Sequence, residues 1–248
     1  MKSLGVIPAR FASTRFPGKP LAMIQGKPMI QRVYEQAQKT TFLSEIYVAT
    51  DDERIEKAVL GFGGKVKMTS TAHQSGTDRC AEVLECMEKE GKLFDIVVNI
   101  QGDEPSINPG QIDIVIESFE DPSVDISTLA KKIESLEELF NSNVIKVIKN
   151  QLNNAIYFSR HPIPYQQNID KAKWLEGFDY FKHIGIYAFR SGILKSITNL
   201  NRSSLEISES LEQLRWIENG YAIRIEETIF ESIAVDTPED LSKFSNIS

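Results

Sequence analysis

Several features that would place this chain in a specialised class are scarce or missing. Cysteine occurs only twice, at Cys80 and Cys86, which is too few, with the wrong spacing, for a disulfide framework or a zinc site. Reduced thiols are therefore expected, and Cys80 shares a helical stripe with Val83, Leu84 and Met87 that assigns it to the core. No stretch approaches the ~18 apolar residues of a membrane span. The apolar run near the N-terminus is broken by Pro8 and Arg10, too early for a signal peptide, so a cytoplasmic protein is expected. Internal repeats, low-complexity tracts and Gly/Ser-rich linkers are also missing, and residues 1–248 read as a single domain.

An excess of positive charge is lacking too. The formal net charge is -7 and the pI about 5.2, which argues against nucleic acid or an anionic membrane as partner. The charge is unevenly spread. Residues 1–34 hold Lys2, Arg10, Arg15, Lys19, Lys27 and Arg32 and no acid, the first being Glu35. This segment carries +6 against -7 for the whole, so the rest carries -13. The N-terminal segment is thus a cationic island suited to a small polyanion. Hydrophobic residues at 41% and charged residues at 25% are ordinary globular values, and 248 residues suffice for one large core.

What is present is a repeating strand, loop and helix. Strand-like runs at 4–7, 46–49, 66–68 and 96–100 alternate with helical patterns that begin at Pro28 and Asp52 and cover 78–90 and 111–119. Such alternation predicts an open, mostly parallel α/β sheet flanked by helices, with ligands gathered beyond the carboxyl ends of the strands. Beyond about residue 122 the pattern loosens into strands at 144–148, 156–158 and 183–189 and helices at 209–219 and 238–244. This portion, about 122–235, reads as a smaller strand-containing lobe that returns to the sheet.

Three loops have the right chemistry and position. The first, IPARFASTRFPGK, places Arg10, Ser13, Arg15, Gly18 and Lys19 after a buried strand. Guanidinium forks, an ammonium and small residues that admit backbone N–H groups suit a triphosphate. The Walker A spacing is absent. The second, VVNIQGDEP, sets Gln101 and Asp103 at a strand end, where a carboxylate can hold Mg²⁺ against phosphate oxygens. Asp236 in AVDTPEDL is its candidate partner, although it reads equally as the N-cap of the helix that Pro238 and Glu239 begin. The third, HQSGTDR, offers Ser75 and Arg79 as ligand groups, with Thr77 open to an N-cap role. In the later part Arg160, His183, Tyr187, Glu212 and Gln213 are polar groups able to face a polyol carboxylate. Read locally, Glu212 and Gln213 are a solvated helix face and His183 a strand residue.

The segments IPARFASTRFPGKP, VATDDE, HQSGTDR, NIQGDEP, YFSRHPIP, HIGIYAF, LEQLR and VDTPEDL occur in this order between about Gly5 and Leu241. Together they resemble the 3-deoxy-manno-octulosonate cytidylyltransferases, or CMP-Kdo synthetases. The resemblance implies a nucleotide-diphospho-sugar transferase-like fold and a homodimer. It also implies transfer of CMP from CTP to the acidic sugar Kdo, giving CMP-Kdo and pyrophosphate for lipopolysaccharide biosynthesis. Carried over by residue, Arg10, Ser13, Arg15 and Lys19 would hold the triphosphate, and Ser75, Arg79 and Gln101 would border the cytidine. Asp103 and Asp236 would hold Mg²⁺, while Arg160, His183, Tyr187, Glu212 and Gln213 would surround the sugar. Lys19, Arg10, Arg15 and Asp103 would carry the chemistry. No weight falls on Asp52 and Glu53 of VATDDE. The rival readings are a cytidylyltransferase for 8-amino-Kdo or a sialic-acid-like sugar, and a silent nucleotide-binding scaffold. Retention of Lys19, Asp103 and Asp236 speaks against the scaffold.

Overall fold

The computed structural model describes residues 1–12, 16–231 and 233–244. Strand β1 (Ser3–Pro8) sends Leu4 and Val6 to one face of the sheet and Ile7 to the other, the two-residue period of an extended chain. A short hairpin follows, β2 (Met23–Ile24) and β3 (Lys27–Pro28). Gln25 and Gly26 at its tip both have positive φ, as a tight two-residue turn requires. Helix α1 (Met29–Ala37) buries Met29, Ile30, Val33, Tyr34 and Ala37 along one stripe.

The unit then repeats through β4 (Glu45–Thr50), α2 (Glu53–Gly61), β5 (Val66–Met68), α3 (Gly76–Lys89), β6 (Ile96–Asn99) and α4 (Pro109–Glu117). Asp52 caps α2 by accepting the Arg54 N–H. Ser75, not Thr77, caps α3. Its hydroxyl accepts the Asp78 N–H while the Asp78 carboxylate accepts the Ser75 N–H, a reciprocal box that starts the helix before Thr77.

The remaining elements are β7 (Ile126–Lys132), α5 (Leu136–Phe140), β8 (Lys146–Lys149), β9 (Ala155–Ser159), α6 (Trp174–Gly177), β10 (Phe181–Arg190), α7 (Ser191–Thr198), α8 (Ser204–Glu209), α9 (Gln213–Glu218) and β11 (Ile223–Glu227). The helix expected over 209–219 is divided. Ser210 adopts a left-handed conformation that ends α8, and α9 starts afresh at Gln213. Buried Glu206 and Arg215 join the two pieces through bonds of 2.8 and 2.6 Å. The turn at Pro238–Phe244 is a 3-10 helix.

The main path of the sheet runs β11-β7-β10-β6-β1-β4-β5, with β8 attached to β10 and β9 to β8. Strands β6, β1, β4 and β5 are parallel, β10 is antiparallel to both β6 and β7, and β11 is parallel to β7. The later part of the chain therefore places β7, β10 and β11 in the main sheet. The β8–β9 hairpin and a satellite core of Ile133, Leu139, Trp174 and Tyr180 extend from it. One main core layer packs Leu84, Tyr187, Phe189 and Trp216 against Leu4, Val6 and Val97, and the other packs Val33, Ile55 and Ile112 against Ile7, Val48 and Val98. Burying a side chain of this size stabilises by roughly 1.5–3 kcal/mol, and these layers fix where the strands end.

Candidate active site

The carboxyl ends of β1 and β6 and the loop that enters α3 converge on a cavity of about 310 Å³. Its wall includes Pro8, Arg10, Lys19, His73, Ser75, Arg79, Gln101, Asp103 and Asp236. Close approach of two backbones shapes it, because a Cβ at Gly102 would stand 2.4 Å from the Pro8 carbonyl oxygen. Gly18, with φ 72°, donates its N–H to the Phe11 carbonyl and turns the chain so that Lys19 faces the cavity.

Lys19 joins two segments distant in sequence. Its Nζ lies 2.8 Å from Asp103 Oδ2, 2.8 Å from the Val235 carbonyl oxygen and 3.7 Å from Asp236 Oδ1. The Val235 N–H in turn donates to the Asp103 carbonyl at 2.9 Å. The two acids expected to cooperate thus meet around one cation. Among the described residues no group of three or more metal-ligating side chains occurs. Two carboxylates are the oxygen set that Mg²⁺ uses when phosphates and water complete its shell, so the pair fits that ion. Arg10 is exposed at the rim. Ser13 and Arg15 lie outside the described residues.

Ser75 serves the cavity from the N-cap of α3, and Gln101 donates through Nε2 to the Gly185 carbonyl at 2.7 Å. That carbonyl is available because β10 is irregular against β7 between Ile184 and Tyr187. Arg79 lines the wall while donating to Asp51 and Thr69. Asn99, at the end of β6, keeps a buried Oδ1 with no hydrogen-bond partner among the described residues, which is unusual away from a ligand site.

The second group of candidates does not line this cavity but clusters beside it. The His183 ring packs edge-on against Phe158, at 5.1 Å between centroids, and lies 5.2 Å from Tyr187, which meets Trp216 at 5.1 Å. Thr128 Oγ1 donates to the Ile186 carbonyl at 2.6 Å and stands 3.0 Å from His183 Nε2. A hydroxyl has one proton to give, so His183 Nε2 is the donor in that pair. Burial depresses the His183 pKa to about 3, so the ring works as a neutral hydrogen-bonding group.

Glu212 links the two groups. Its Oε2 accepts from Thr77 Oγ1 at 3.1 Å, next to Ser75 on the cavity wall. Burial raises the Glu212 carboxyl above the usual range, and the hydrogen bonds from Ser75 and Thr77 act in the opposite direction. Gln213 is buried beside it. Arg160 Nε donates to the Glu209 carbonyl at 2.7 Å, with longer bonds to the Ser142 and Ser210 carbonyls, and so braces the turn that carries Glu212.

Sequence reasoning passed over Thr69 and Asp51 as well as the contact made by Thr77. Asp51 follows β4 as Asp103 follows β6, and this strand-end position was the available signal. His73 also went unassigned, although it lines the cavity with Nε2 2.5 Å from Glu82 Oε2.

The chain belongs to the cytidylyltransferase family, whose model matches residues 4–229, and this places it among the nucleotidyltransferases, a class with which an open α/β sheet and a cationic and acidic strand-end cavity agree. Within it the chain stands with the 3-deoxy-manno-octulosonate cytidylyltransferases. Proteins of that name from Phocaeicola vulgatus and Bacteroides thetaiotaomicron are 56% and 58% identical to it. These alignments cover 98% and 97% of this chain and 96% of each relative. The solved structure of a CMP:2-keto-3-deoxy-manno-octonic acid synthetase complexed with CTP is 44% identical, with a TM-score of 0.90, covering 99% of this chain and 97% of that one. A 4-diphosphocytidyl-2C-methyl-D-erythritol synthase from Anaerococcus prevotii, 11% identical at a TM-score of 0.61, covers 98% of this chain and 95% of its own, and shares the fold alone.

Proposed function

We infer that the protein transfers CMP from CTP to the anomeric hydroxyl of Kdo and releases pyrophosphate. The observation that carries this reading is the meeting of Lys19, Asp103 and Asp236 at the strand-end cavity, in a chain so similar to enzymes named for that reaction. The sugar oxygen attacks the α-phosphorus in line; one P–O bond forms as the bond to the β,γ-pyrophosphate breaks, and no covalent enzyme intermediate is needed.

Lys19 and Arg10 supply positive charge to the triphosphate and the departing pyrophosphate, with Ser13 and Arg15 assigned to the same task. Ser75, Arg79 and Gln101 border the cytidine. Asp103 and Asp236 would hold Mg²⁺, whose chemistry there is neutralisation of phosphate charge and a lowered pKa for the attacking hydroxyl. Arg160, His183, Tyr187, Glu212 and Gln213 surround the sugar. The neutral His183 ring offers a directional contact without adding charge, and Glu212 joins the sugar side to the cavity through Thr77.

A homodimer belongs to the same reading, supported by the exposed apolar side chains Phe140, Tyr165, Ile169 and Phe178 around the Trp174 core. So do a cytoplasmic location and a place in lipopolysaccharide biosynthesis. No helix among the described residues is long and apolar enough to cross a membrane. The test is a pyrophosphate-release assay with four nucleoside triphosphates against Kdo, 8-amino-Kdo and sialic acid, with and without Mg²⁺. Release with CTP and Kdo in Mg²⁺ is expected. Preference for another sugar or nucleotide would revise the substrate, and no release with any pair would overturn the reading.

A further inference from the structure

Asp51 stands at the end of β4 and takes no part in the reaction as assigned above. Its Oδ2 accepts from Arg79 Nη2 at 2.6 Å. Arg79 Nη1 donates to Thr69 Oγ1 at 2.7 Å, and the Thr69 hydroxyl donates to the Thr50 carbonyl at 3.2 Å. The Thr69 N–H reaches the same carbonyl at 2.8 Å. The guanidinium is therefore tied to the end of β4 and to the residue just past β5, while its backbone belongs to the first turns of α3.

This arrangement does more than brace the fold. Arg79 is only 4% exposed and nevertheless lines the cavity. A guanidinium carries five N–H donors, and only the bonds to Asp51 and Thr69 have acceptors among the described residues. Donors left over on a buried group at a cavity wall are normally satisfied by a ligand or by water. Asp51 also balances the charge of Arg79 at close range. What the cavity receives from Arg79 is thus a set of aimed N–H groups with little net charge, suited to an uncharged carbonyl or hydroxyl oxygen. Positive charge for phosphate comes instead from Arg10, exposed at the cavity rim.

We propose that Asp51, with Thr69, is a positioning residue that fixes Arg79 so that it binds the nucleoside part of the nucleotide and not its phosphates. The proposal rests on the cytidylyl-transfer reading of the cavity. It separates two halves of one ligand, and the halves can be offered separately. Cytidine and inorganic tripolyphosphate are used as competitive inhibitors against CTP in the parent, Asp51→Asn and Thr69→Val proteins, with KM for CTP and Kdo, kcat and melting temperature recorded alongside.

In Asp51→Asn the KM for CTP and the inhibition constant for cytidine should both rise about tenfold, a loss of about 1.4 kcal/mol, while kcat and KM for Kdo change by less than about twofold. The inhibition constant for tripolyphosphate should stay at the parent value. Thr69→Val should give the same pattern in weaker form, and it decides the matter if Asp51→Asn does not fold. Equal weakening of cytidine and tripolyphosphate would show a purely structural role, and no weakening of cytidine would show none; either overturns the proposal. A parent protein that fails to turn over CTP with Kdo would instead sink the functional reading itself, and the positioning role with it.

Discussion

Lys19 Nζ lies 2.8 Å from Asp103 Oδ2 although 84 residues separate them, and the same ammonium stands 3.7 Å from Asp236 Oδ1. One cation between two carboxylates keeps both at the cavity wall. Replacing Lys19 by Met removes that cation and leaves two partly buried acids facing each other. The cost should be on the order of 1–2 kcal/mol, seen as a melting temperature lower by about 2–8 °C for a chain of this size. Affinity for tripolyphosphate should fall at least about tenfold while affinity for cytidine is held. Equal losses for the two ligands in calorimetry would show that Lys19 does not face the phosphates.

Asp103→Asn and Asp236→Asn test the acidic pair. Each should lower kcat at least about 100-fold with the circular dichroism of the parent retained, because neutralisation of phosphate charge is worth several kcal/mol in the transition state. Chelation of divalent ions should abolish parent turnover, and added Mg²⁺ should restore it. A folded variant of either acid with near-parental turnover would contradict the two-carboxylate assignment.

His183 predicts a pH effect on stability. Its pKa is depressed to about 3 in the folded protein by burial, against about 6.5 in the unfolded chain. The unfolded state therefore binds the proton first. The stability contributed is fully present above about pH 6.5 and is lost as pH falls toward 3. At pH 5 the loss should be on the order of 2 kcal/mol. Melting curves between pH 7 and pH 5 should show a smaller acid shift in His183→Gln than in the parent. An identical shift would mean that the ring is protonated within the fold.

The division of labour between the two groups of side chains is tested with Arg160→Ala, His183→Ala and Gln213→Ala. Each should raise KM for Kdo or lower kcat/KM by about 5- to 100-fold, the equivalent of 1–3 kcal/mol per lost contact, with CTP affinity nearly unchanged. Arg160 also braces the turn at Glu209 and Ser210, so melting temperatures must accompany the kinetics. Folded variants with weakened CTP binding and normal sugar kinetics would reverse the assignment.

The parallel half of the sheet was legible because its strands are continuous apolar runs, each followed by a turn and an amphipathic helix. The later part was less so. Strands β7 and β11 were missed because Ser127, Thr128, Arg224 and Glu226 dilute the apolar pattern; their partners are supplied by β10 and by long-range contacts. The division of 209–219 into two helices depends on one left-handed residue, Ser210, whose side chain gives no warning.

Among the candidate residues, Arg10, Lys19, Gln101 and Asp103 were picked out by position and charge after β1 and β6, and the fold brings these four to one cavity wall. The partnership of Asp103 with Asp236 was proposed from their strand-end positions, but its geometry comes from a backbone bond between Val235 and Asp103 that no local pattern announces. Asp51 had the same strand-end position as Asp103 but was given no role, because no weight was placed on the acids of VATDDE. Here Asp52 does the capping and leaves Asp51 for Arg79.

The central claim, transfer of the α-phosphoryl group of CTP to a sugar oxygen, is tested most directly by the fate of labelled phosphorus. The purified protein is incubated with Mg²⁺, Kdo and CTP labelled with ³²P at either the α or the γ position, and the products are separated. The α label should appear in CMP-Kdo and the γ label in pyrophosphate, in equal amounts and only when Kdo is present. Release of the α label as CMP without Kdo, or retention of both labels in CTP, would contradict the account.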